Sequence, residues 1–330
     1  MKIQKIKPSD VEDLKTFIEN NNSPIIISEL FKDWPYVELA KDSPSHLLRK
    51  LLSIASKKLV DTLLIESKHK GLISYASEDY ERFTFKKFQV PLKAVLKRLI
   101  VEKRDEHSED IAVQSALIEQ CLPSFLTQNP SPNFLSEISP RIWIGTATTV
   151  PGHYDTSHNI ALNVCGKRTF YLLPPNAIPN IYVAPIDRTI TGPAISLVDF
   201  EKPDLSKYPK FKNVHKDVQI AELEVGEALY IPPMWWHNVK SHERANILVN
   251  YWWENKTASE LTSTESLIHA ILTIRALPKY QRDAWKEVFK HYVFDRKEDV
   301  FDKTYKGILS NSQEEIRKVE DILLKRNAAK

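Results

Sequence analysis

Two stretches of the chain share one pattern: alternating polar and apolar residues, a glycine turn, and a second run of strand-forming residues. The first covers residues 159–173 and turns at Gly166, and the second covers residues 219–231 and turns at Gly226. Each is followed or closed by two consecutive prolines, which cannot continue a strand ladder. Two strand-forming runs joined by a short glycine loop are typical of a β-hairpin. The pattern therefore predicts a largely antiparallel β protein with two such hairpins.

Each predicted hairpin has a histidine motif beside it. His153 and Asp155 lie two residues apart before the first hairpin, and because side chains on a strand alternate, both point to the same face. His237 follows the second hairpin, after two prolines and two tryptophans. Two histidines and one carboxylate cover one face of an octahedral metal and leave the opposite positions open, as in non-haem Fe(II) oxygenases. The sequence therefore predicts a metal site built from His153, Asp155 and His237.

The segment from about residue 141 to residue 253 resembles the JmjC branch of the cupin barrels. Within this branch it is similar to the group that contains the asparaginyl hydroxylase that inhibits the hypoxia-inducible factor, and to the wybutosine tRNA hydroxylase. The matching residues are His153-Tyr154-Asp155, Asn159, Gly166, Pro174-Pro175, Gly226-Glu227, Tyr230-Ile231-Pro232, Trp235-Trp236-His237 and Asn250-Tyr251-Trp252. The resemblance implies a mainly β fold with flanking helices, in which the strands form a double-stranded β-helix, or jelly-roll, barrel.

Members of this family bind Fe(II) through a His-x-Asp…His motif. They use 2-oxoglutarate and O2 to hydroxylate proteins, RNA or small molecules, and some demethylate lysine. The resemblance implies that His153, Asp155 and His237 bind Fe(II), and that Asn159 and Asn250 face the cavity near the cosubstrate. The alternatives are a structural His-x-Asp turn with an unrelated surface histidine, and buried amides that only satisfy neighbouring backbone groups.

The pocket that holds the distal carboxylate of 2-oxoglutarate in this family is altered in the chain. Many relatives have Lys two residues after the turn glycine, where this chain has Arg168 beside Lys167. Arg suits this role because a guanidinium can bind a carboxylate through two parallel hydrogen bonds. An assisting Thr is replaced by Val150, next to Thr149, and residues 111–116 contain no assisting Tyr. We expect Arg168, together with Lys167 and Thr149, to bind the cosubstrate; for Arg168, a solvated strand-end cation is the alternative.

The composition is that of an ordinary globular protein. The formal net charge of the 330 residues is +3, which is too small to indicate nucleic-acid binding by itself. Cys121 and Cys165 stand far apart, which favours free thiols in a reducing compartment. The first residues lack the apolar core of a signal peptide, and no window is long and apolar enough to cross a bilayer. We therefore expect a cytoplasmic protein that does not enter a membrane.

Residues 1–256 are expected to hold the cupin-like barrel together with N-terminal helices and strands. The N-terminal elements are predicted as helices over 44–60 and 91–104 and strands near 61–66, 71–76 and 82–85. Residues 176–216 form a long insert between the two metal-bearing hairpins. Such an insert is expected to border the mouth of the barrel and to help bind substrate.

Residues 257–330 are predicted to be a helical extension. Apolar residues recur at three- and four-residue spacing from Leu261 to Leu277, and two further helices are predicted over 280–293 and 313–325. In the family that the chain resembles, a helical pair after the barrel commonly forms a dimer, so we expect a homodimer. The same periodicity also allows the helices to cover the barrel of their own chain.

The predicted function is that of an Fe(II)- and 2-oxoglutarate-dependent hydroxylase acting on a protein side chain, a tRNA base or a small molecule. One alternative is a metal-dependent cupin that works without 2-oxoglutarate, such as an isomerase or another dioxygenase. A second alternative is a non-catalytic JmjC-like binding protein, which the missing Tyr and Thr favour. The substrate is not predicted, because one fold serves many functions.

Overall fold

The computed structural model describes residues 3–101, 105, 107–190, 192–254, 261–295 and 312–328, and the chain divides into two compact units, Met1–Glu254 and Asn255–Lys330. The predicted boundary after residue 256 lies outside the described residues. The strands are β1 Gln4–Ile6, β2 Ile25–Ile27, β3 Leu59–Ile65, β4 Phe85–Pro91, β5 Asp110–Leu117, β6 Arg141–Gly145, β7 Thr149–His153, β8 His158–Cys165, β9 Arg168–Leu173, β10 Gln219–Leu223, β11 Ala228–Ile231, β12 Trp236–Ser241 and β13 Asn246–Trp253. The α-helices are α1 Leu14–Glu19, α2 Pro35–Asp42, α3 Pro44–Ile54, α4 Leu92–Val101, α5 Ile118–Cys121, α6 Phe125–Gln128, α7 Ser263–Ile274, α8 Lys279–Phe289 and α9 Gln313–Ala328.

The strands of the first unit form two sheets whose inner faces pack against each other. The major sheet has the order β1-β2-β11-β8-β13-β6-β5-β3-β4, and the minor sheet has the order β10-β9-β12-β7. From β6 to β13 the chain moves back and forth between the sheets, as in a double-stranded β-helix. Apolar side chains of both sheets meet in one buried cluster. The mainly β jelly-roll fold is confirmed, although over the described residues the hydrogen-bonded ladders do not close the two sheets into a barrel.

Neither glycine turn joins a hairpin, so the hairpin prediction was wrong. Gly166 carries the chain from β8 in the major sheet to β9 in the minor sheet, and Gly226 carries it from β10 back to β11. At Gly166 the backbone φ is +82°, and a Cβ there would lie 2.5 Å from Oδ1 of Asn246. This corner therefore requires glycine. Alternation identified the strands and the turns, but it carries no information about which strand each one pairs with.

Helices α1 to α6 cover the outer face of the major sheet. Leu47 and Leu51 of α3 share one large core cluster with Ile247, Val249 and Tyr251, which point outward from β13. This burial explains why β8 and β13, covered on both faces, are apolar over most of their length.

The N-terminal predictions are correct in type, with different ends, except for the strand predicted near 71–76, which was wrong. The helix predicted over 44–60 ends at Ile54, because Ala55 is already extended (φ −63°, ψ 133°) and β3 begins four residues later. The strand predicted near 82–85 begins at Phe85 and continues to Pro91. Residues 71–76 make only isolated bridges rather than a strand. The helix predicted over 91–104 is α4, and residues 102–104 lie outside the described part of the chain.

The insert between β9 and β10 covers the outer face of the minor sheet. Its Phe200 and Phe211 share a buried cluster with Tyr171 and Trp236 of the sheet. Phe200 also packs directly on Gly152, where an added Cβ would lie 2.5–3.0 Å from three carbons of the Phe200 ring. The insert therefore fixes the end of β7, immediately before His153.

The second unit contains α7, α8 and α9, at the positions where helices were predicted. Helix α7 begins with a capping box, in which Thr262 and Glu265 satisfy each other's backbone N–H groups. Several apolar side chains of α7 are exposed, including Leu267 and Leu272. No helix in the described parts of either unit combines the length and the apolar character that a membrane-spanning helix needs.

Candidate active site

The pairing of β7 with β12 brings the three predicted metal ligands together. His153 is the direct cross-strand partner of His237, and the centroids of the two imidazole rings lie 4.2 Å apart. Nε2 of His237 lies 3.7 Å from Oδ2 of Asp155. One ligand atom from each of the three residues lies within 4.8 Å of the other two. These atoms are close enough to converge on a single ion at usual metal–ligand distances of about 2.1 Å.

Both histidines are oriented by the backbone of their own strands. Nδ1 of His153 lies 2.9 Å from the carbonyl oxygen of Pro151, and Nδ1 of His237 lies 3.0 Å from that of Trp235. Because a carbonyl oxygen can only accept, each Nδ1 carries the proton and each Nε2 keeps its lone pair. Burial, reinforced by the neighbouring His153, lowers the pKa of His237 to about 4. His237 is therefore neutral at pH 7, which is the form that binds metals.

A backbone hydrogen bond connects the two segments that carry the ligands. The N–H of Met234 donates to the carbonyl oxygen of Asp155 at 2.7 Å. Met234 reaches this position in the left-handed region, with φ of +67°, a conformation that costs a non-glycine residue about 1–2 kcal/mol. The surrounding prolines and the buried tryptophans hold it there. The strained turn thus sets the distance between Asp155 and the strand of His237.

Asn159 and Asn250 meet on the inner face of the major sheet. Nδ2 of Asn250 donates to Oδ1 of Asn159 at 2.7 Å, and both side chains are buried. Oδ1 of Asn250 is itself buried without a hydrogen-bond partner. The structure therefore brings the two predicted amides together and leaves one acceptor unsatisfied.

Arg168 lies on the inner face of the minor sheet. Strand alternation places its side chain on the same face as Phe170 and Leu172, which belong to the cluster between the sheets. Its residue exposure is 7%, Nε has no hydrogen-bond partner, and no carboxylate of the described residues forms an ion pair with it. Burial lowers the pKa of Arg168 to about 10, so the guanidinium is still charged at pH 7. A buried cation without a counter-charge is costly, so the described residues leave one positive charge uncompensated at this position.

The other two predicted cosubstrate residues are not brought to this position. Lys167 is exposed at the corner that precedes β9. Thr149 is the cross-strand partner of Lys240, whose side chain forms an ion pair with Glu201 on the outer face of the minor sheet. Val150, opposite Val239, takes the inward position instead.

Buried polar atoms without a partner are concentrated between the sheets. Among the described residues these atoms are Nε1 of Trp143, Oδ1 of Asn163, Nε of Arg168, Oδ1 of Asn250 and Nε1 of Trp252. All five side chains lie on the inner faces, as their cross-strand partners show. Trp143 and Trp252 were not among the predicted site residues. Strand alternation from Asn250 would have placed Trp252 on this face, whereas the position of Trp143 depends on the pairing of β6 with β13.

Residues 11–259 match the family described as the cupin-like domain. The chain belongs to this family. The matched residues hold strands β2 to β13, the insert and helices α1 to α6, so His153, Asp155, His237 and Arg168 all lie within the cupin-like domain.

Several of the curated relatives are JmjC proteins. The chain is 34% identical over 158 residues to lysine-specific demethylase JMJ31 of Arabidopsis thaliana, a match that covers 48% of this chain and 27% of the relative. It is 27% identical over 255 residues to JmjC domain-containing protein D of Dictyostelium discoideum (71% of this chain, 52% of the relative). It is 28% identical over 146 residues to tRNA wybutosine-synthesizing protein 5 of Gallus gallus (40% and 43%). The chain spans between about a quarter and a half of the length of these relatives.

The family and the site agree on the class of chemistry. JmjC enzymes use Fe(II) and 2-oxoglutarate, and this cupin-like chain holds a His-Asp-His cluster in its structure. Together they support a metal-dependent oxygenase.

Proposed function

We propose that the protein is an Fe(II)- and 2-oxoglutarate-dependent oxygenase that hydroxylates its substrate. The observation that carries this proposal is the combination of a His-Asp-His cluster with an unpaired, buried guanidinium on the inner faces of the same two sheets. A metal site alone fits many reactions. A metal site together with a buried cation fits an anionic cosubstrate.

The residues present fit Fe(II). His153, Asp155 and His237 offer two imidazole nitrogens and one carboxylate oxygen, which is the facial donor set of non-haem iron oxygenases. The carbonyl groups that accept from each Nδ1 fix the ring orientation, so the metal-binding nitrogens need no rearrangement. The side chain of His237 is 5% exposed while that of Asp155 is 26% exposed, so solvent reaches the cluster from the side of Asp155.

The residues between the sheets also fit a dicarboxylate cosubstrate. Each buried polar atom without a partner costs about 1–3 kcal/mol, and five such atoms of the described residues belong to side chains on the inner faces of the two sheets. Arg168 would hold the distal carboxylate by charge-assisted hydrogen bonds, and the Asn159–Asn250 pair would contact the end of the cosubstrate nearer the metal. When bound, iron and 2-oxoglutarate would allow O2 to oxidise a C–H bond of the substrate, while 2-oxoglutarate is converted to succinate and CO2. The protein's own part is to orient both groups and to exclude water, for which the buried aromatic side chains on both sheets are suited.

An anaerobic titration tests the proposal. Protein loaded with Fe(II) is expected to develop a visible metal-to-ligand charge-transfer band when 2-oxoglutarate is added, and to release succinate when air is admitted. Binding of metal without any response to 2-oxoglutarate would favour a cupin that works without this cosubstrate. Failure to bind Fe(II) would favour a non-catalytic binding protein.

The substrate class is proposed from the same chemistry: a C–H group on a protein side chain, a tRNA base or a small molecule. Among the relatives, two are named as lysine-specific demethylases and two as tRNA wybutosine-synthesizing proteins. A panel that contains methyl-lysine peptides, unmodified peptides and tRNA should therefore be compared. The substrate is the component that raises succinate release above the uncoupled rate and gains the mass of one oxygen, or loses a methyl group.

A further inference from the structure

Five tryptophans of the first unit fall into two groups according to the partners of their indole N–H groups. Trp34 donates to the carbonyl oxygen of Pro130, Trp235 to that of Asn22, and Trp253 to Oε1 of Glu19, each at 2.8 Å. In contrast, Nε1 of Trp143 and Nε1 of Trp252 are buried without any acceptor. An indole N–H can only donate. The described part of the chain therefore provides no acceptor for the indole N–H of Trp143 or of Trp252.

Strand register places Trp143 toward the end of the inter-sheet space where Arg168 enters. Trp143 is the cross-strand partner of Leu248, and Leu248 is in turn the partner of Asn163. The amide of Asn163 donates to the carbonyl oxygen of Gly166, the corner that leads directly into Arg168. Trp143 also packs against the apolar cluster that contains Phe170, the inward neighbour of Arg168 on β9.

Trp252 lies nearer to the metal ligands. It is the cross-strand partner of Asn159, four residues along β13 from the partner of Trp143. The two indole rings meet edge to face, with centroids 6.2 Å apart. The two indole N–H groups therefore lie toward different ends of the region between the sheets. Only Trp143 lies toward the end where Gly166 leads into Arg168.

A carboxylate has about four lone-pair sites, and one guanidinium fork occupies two of them. Val150, which points inward from β7, offers no hydroxyl donor. We propose that the indole N–H of Trp143 is a second donor to the distal carboxylate bound by Arg168, and that this pair makes the site select a dicarboxylate over a monocarboxylate 2-oxo acid. This inference rests on the proposed function, because it assumes 2-oxoglutarate in the inter-sheet space.

The test compares two ligands that differ only at the distal end. Dissociation constants for 2-oxoglutarate and for 2-oxopentanoate, which has the same chain length without the second carboxylate, are measured anaerobically by calorimetry and by the charge-transfer band on Fe(II)-loaded protein. In Trp143→Phe, which keeps an aromatic ring and removes the N–H, 2-oxoglutarate is expected to bind about tenfold more weakly or worse. The dissociation constant of 2-oxopentanoate is expected to stay unchanged. Trp143→His, which retains a ring N–H, should recover part of the loss.

Trp253→Phe is the matched control, because it removes an indole N–H that already has an acceptor, Glu19. It should leave both dissociation constants unchanged. If Trp143→Phe weakens both ligands equally, or neither, the donor role is overturned while the proposed function stands. If the wild-type protein binds Fe(II) but not 2-oxoglutarate, the donor role of Trp143 and the proposed function are both overturned.

A measurement on the wild-type protein tests the same proposal without requiring that a variant folds. With indole nitrogens labelled and Zn(II) in place of iron, 2-oxoglutarate should move the Nε1–H resonance of one buried tryptophan downfield, and 2-oxopentanoate should not. Equal shifts with the two ligands, or no shift, would overturn the proposal.

Discussion

Replacing Arg168 with Met should make the metal-free protein more stable while it abolishes the response to 2-oxoglutarate. The guanidinium is buried, and no carboxylate of the described residues compensates its charge. Most substitutions of buried residues destabilise a protein. The opposite sign is expected here because a binding site, rather than the fold, requires the charge.

The magnitude follows from the electrostatics of Arg168. Burial lowers its pKa to about 10, and at about 1.4 kcal/mol for each tenfold loss of proton affinity the uncompensated charge costs on the order of 3 kcal/mol. Met fills most of the same space, so we expect a net gain of about 1–3 kcal/mol. For a domain of this size that gain corresponds to a melting temperature higher by about 3–10 °C.

Thermal unfolding with and without ligand measures both effects. Wild-type protein loaded with Mn(II) should gain about 2.7 kcal/mol when 2-oxoglutarate is present at a hundred times its dissociation constant, and Arg168→Met should gain nothing. Lys167→Met is the control, because the neighbouring lysine is exposed, and it should melt and bind like the wild type. An Arg168→Met protein that melts lower than the wild type and still responds to 2-oxoglutarate would show that the guanidinium serves the fold and not the cosubstrate.

Four further outcomes are expected. Asp155→Ala should lose Fe(II) binding and succinate release, because two imidazoles alone cannot hold iron against water; retained turnover would exclude this ligand set. Gly152→Ala should destabilise the fold by about 1–3 kcal/mol through its clash with Phe200, and the double variant with Phe200→Leu should regain part of the loss in a urea titration. Burial lowers the pKa of His158, so as the pH falls below about 6.5 the unfolded state takes up a proton before the folded state does. The melting temperature of the metal-free protein should therefore fall between pH 7.5 and pH 5.5, and it should fall less in His158→Gln. Ile271→Glu, on the partly exposed apolar face of α7, should convert a homodimer into a monomer; light scattering that gives the mass of one wild-type chain at micromolar concentration would contradict the dimer.

The sequence alone was sufficient to predict the His-Asp-His cluster and the class of fold. The two-residue spacing of His153 and Asp155 predicted a common face for an extended segment; β7 ends at His153, and Asp155 reaches the same cluster from the residues that follow the strand. The strand alternation around Gly166 and Gly226 located β8 to β11, and the matching motifs indicated the family. Local periodicity also located the helices of the second unit, because helical spacing is a property of the chain itself.

Pairing between distant strands decided the rest. The two glycine turns look like hairpin turns in the sequence, yet each one changes sheets, because a strand bonds to whichever partner buries its apolar face. Only that pairing sets His153 against His237, turns Thr149 outward opposite Lys240 and brings Trp143 toward the corner of Arg168. Unsatisfied polar atoms likewise become visible only once burial is known, since the same Arg and Trp residues would be solvated on a surface. The sequence thus determined which residues can bind the metal, and the tertiary structure determined which side chains share the space beside it.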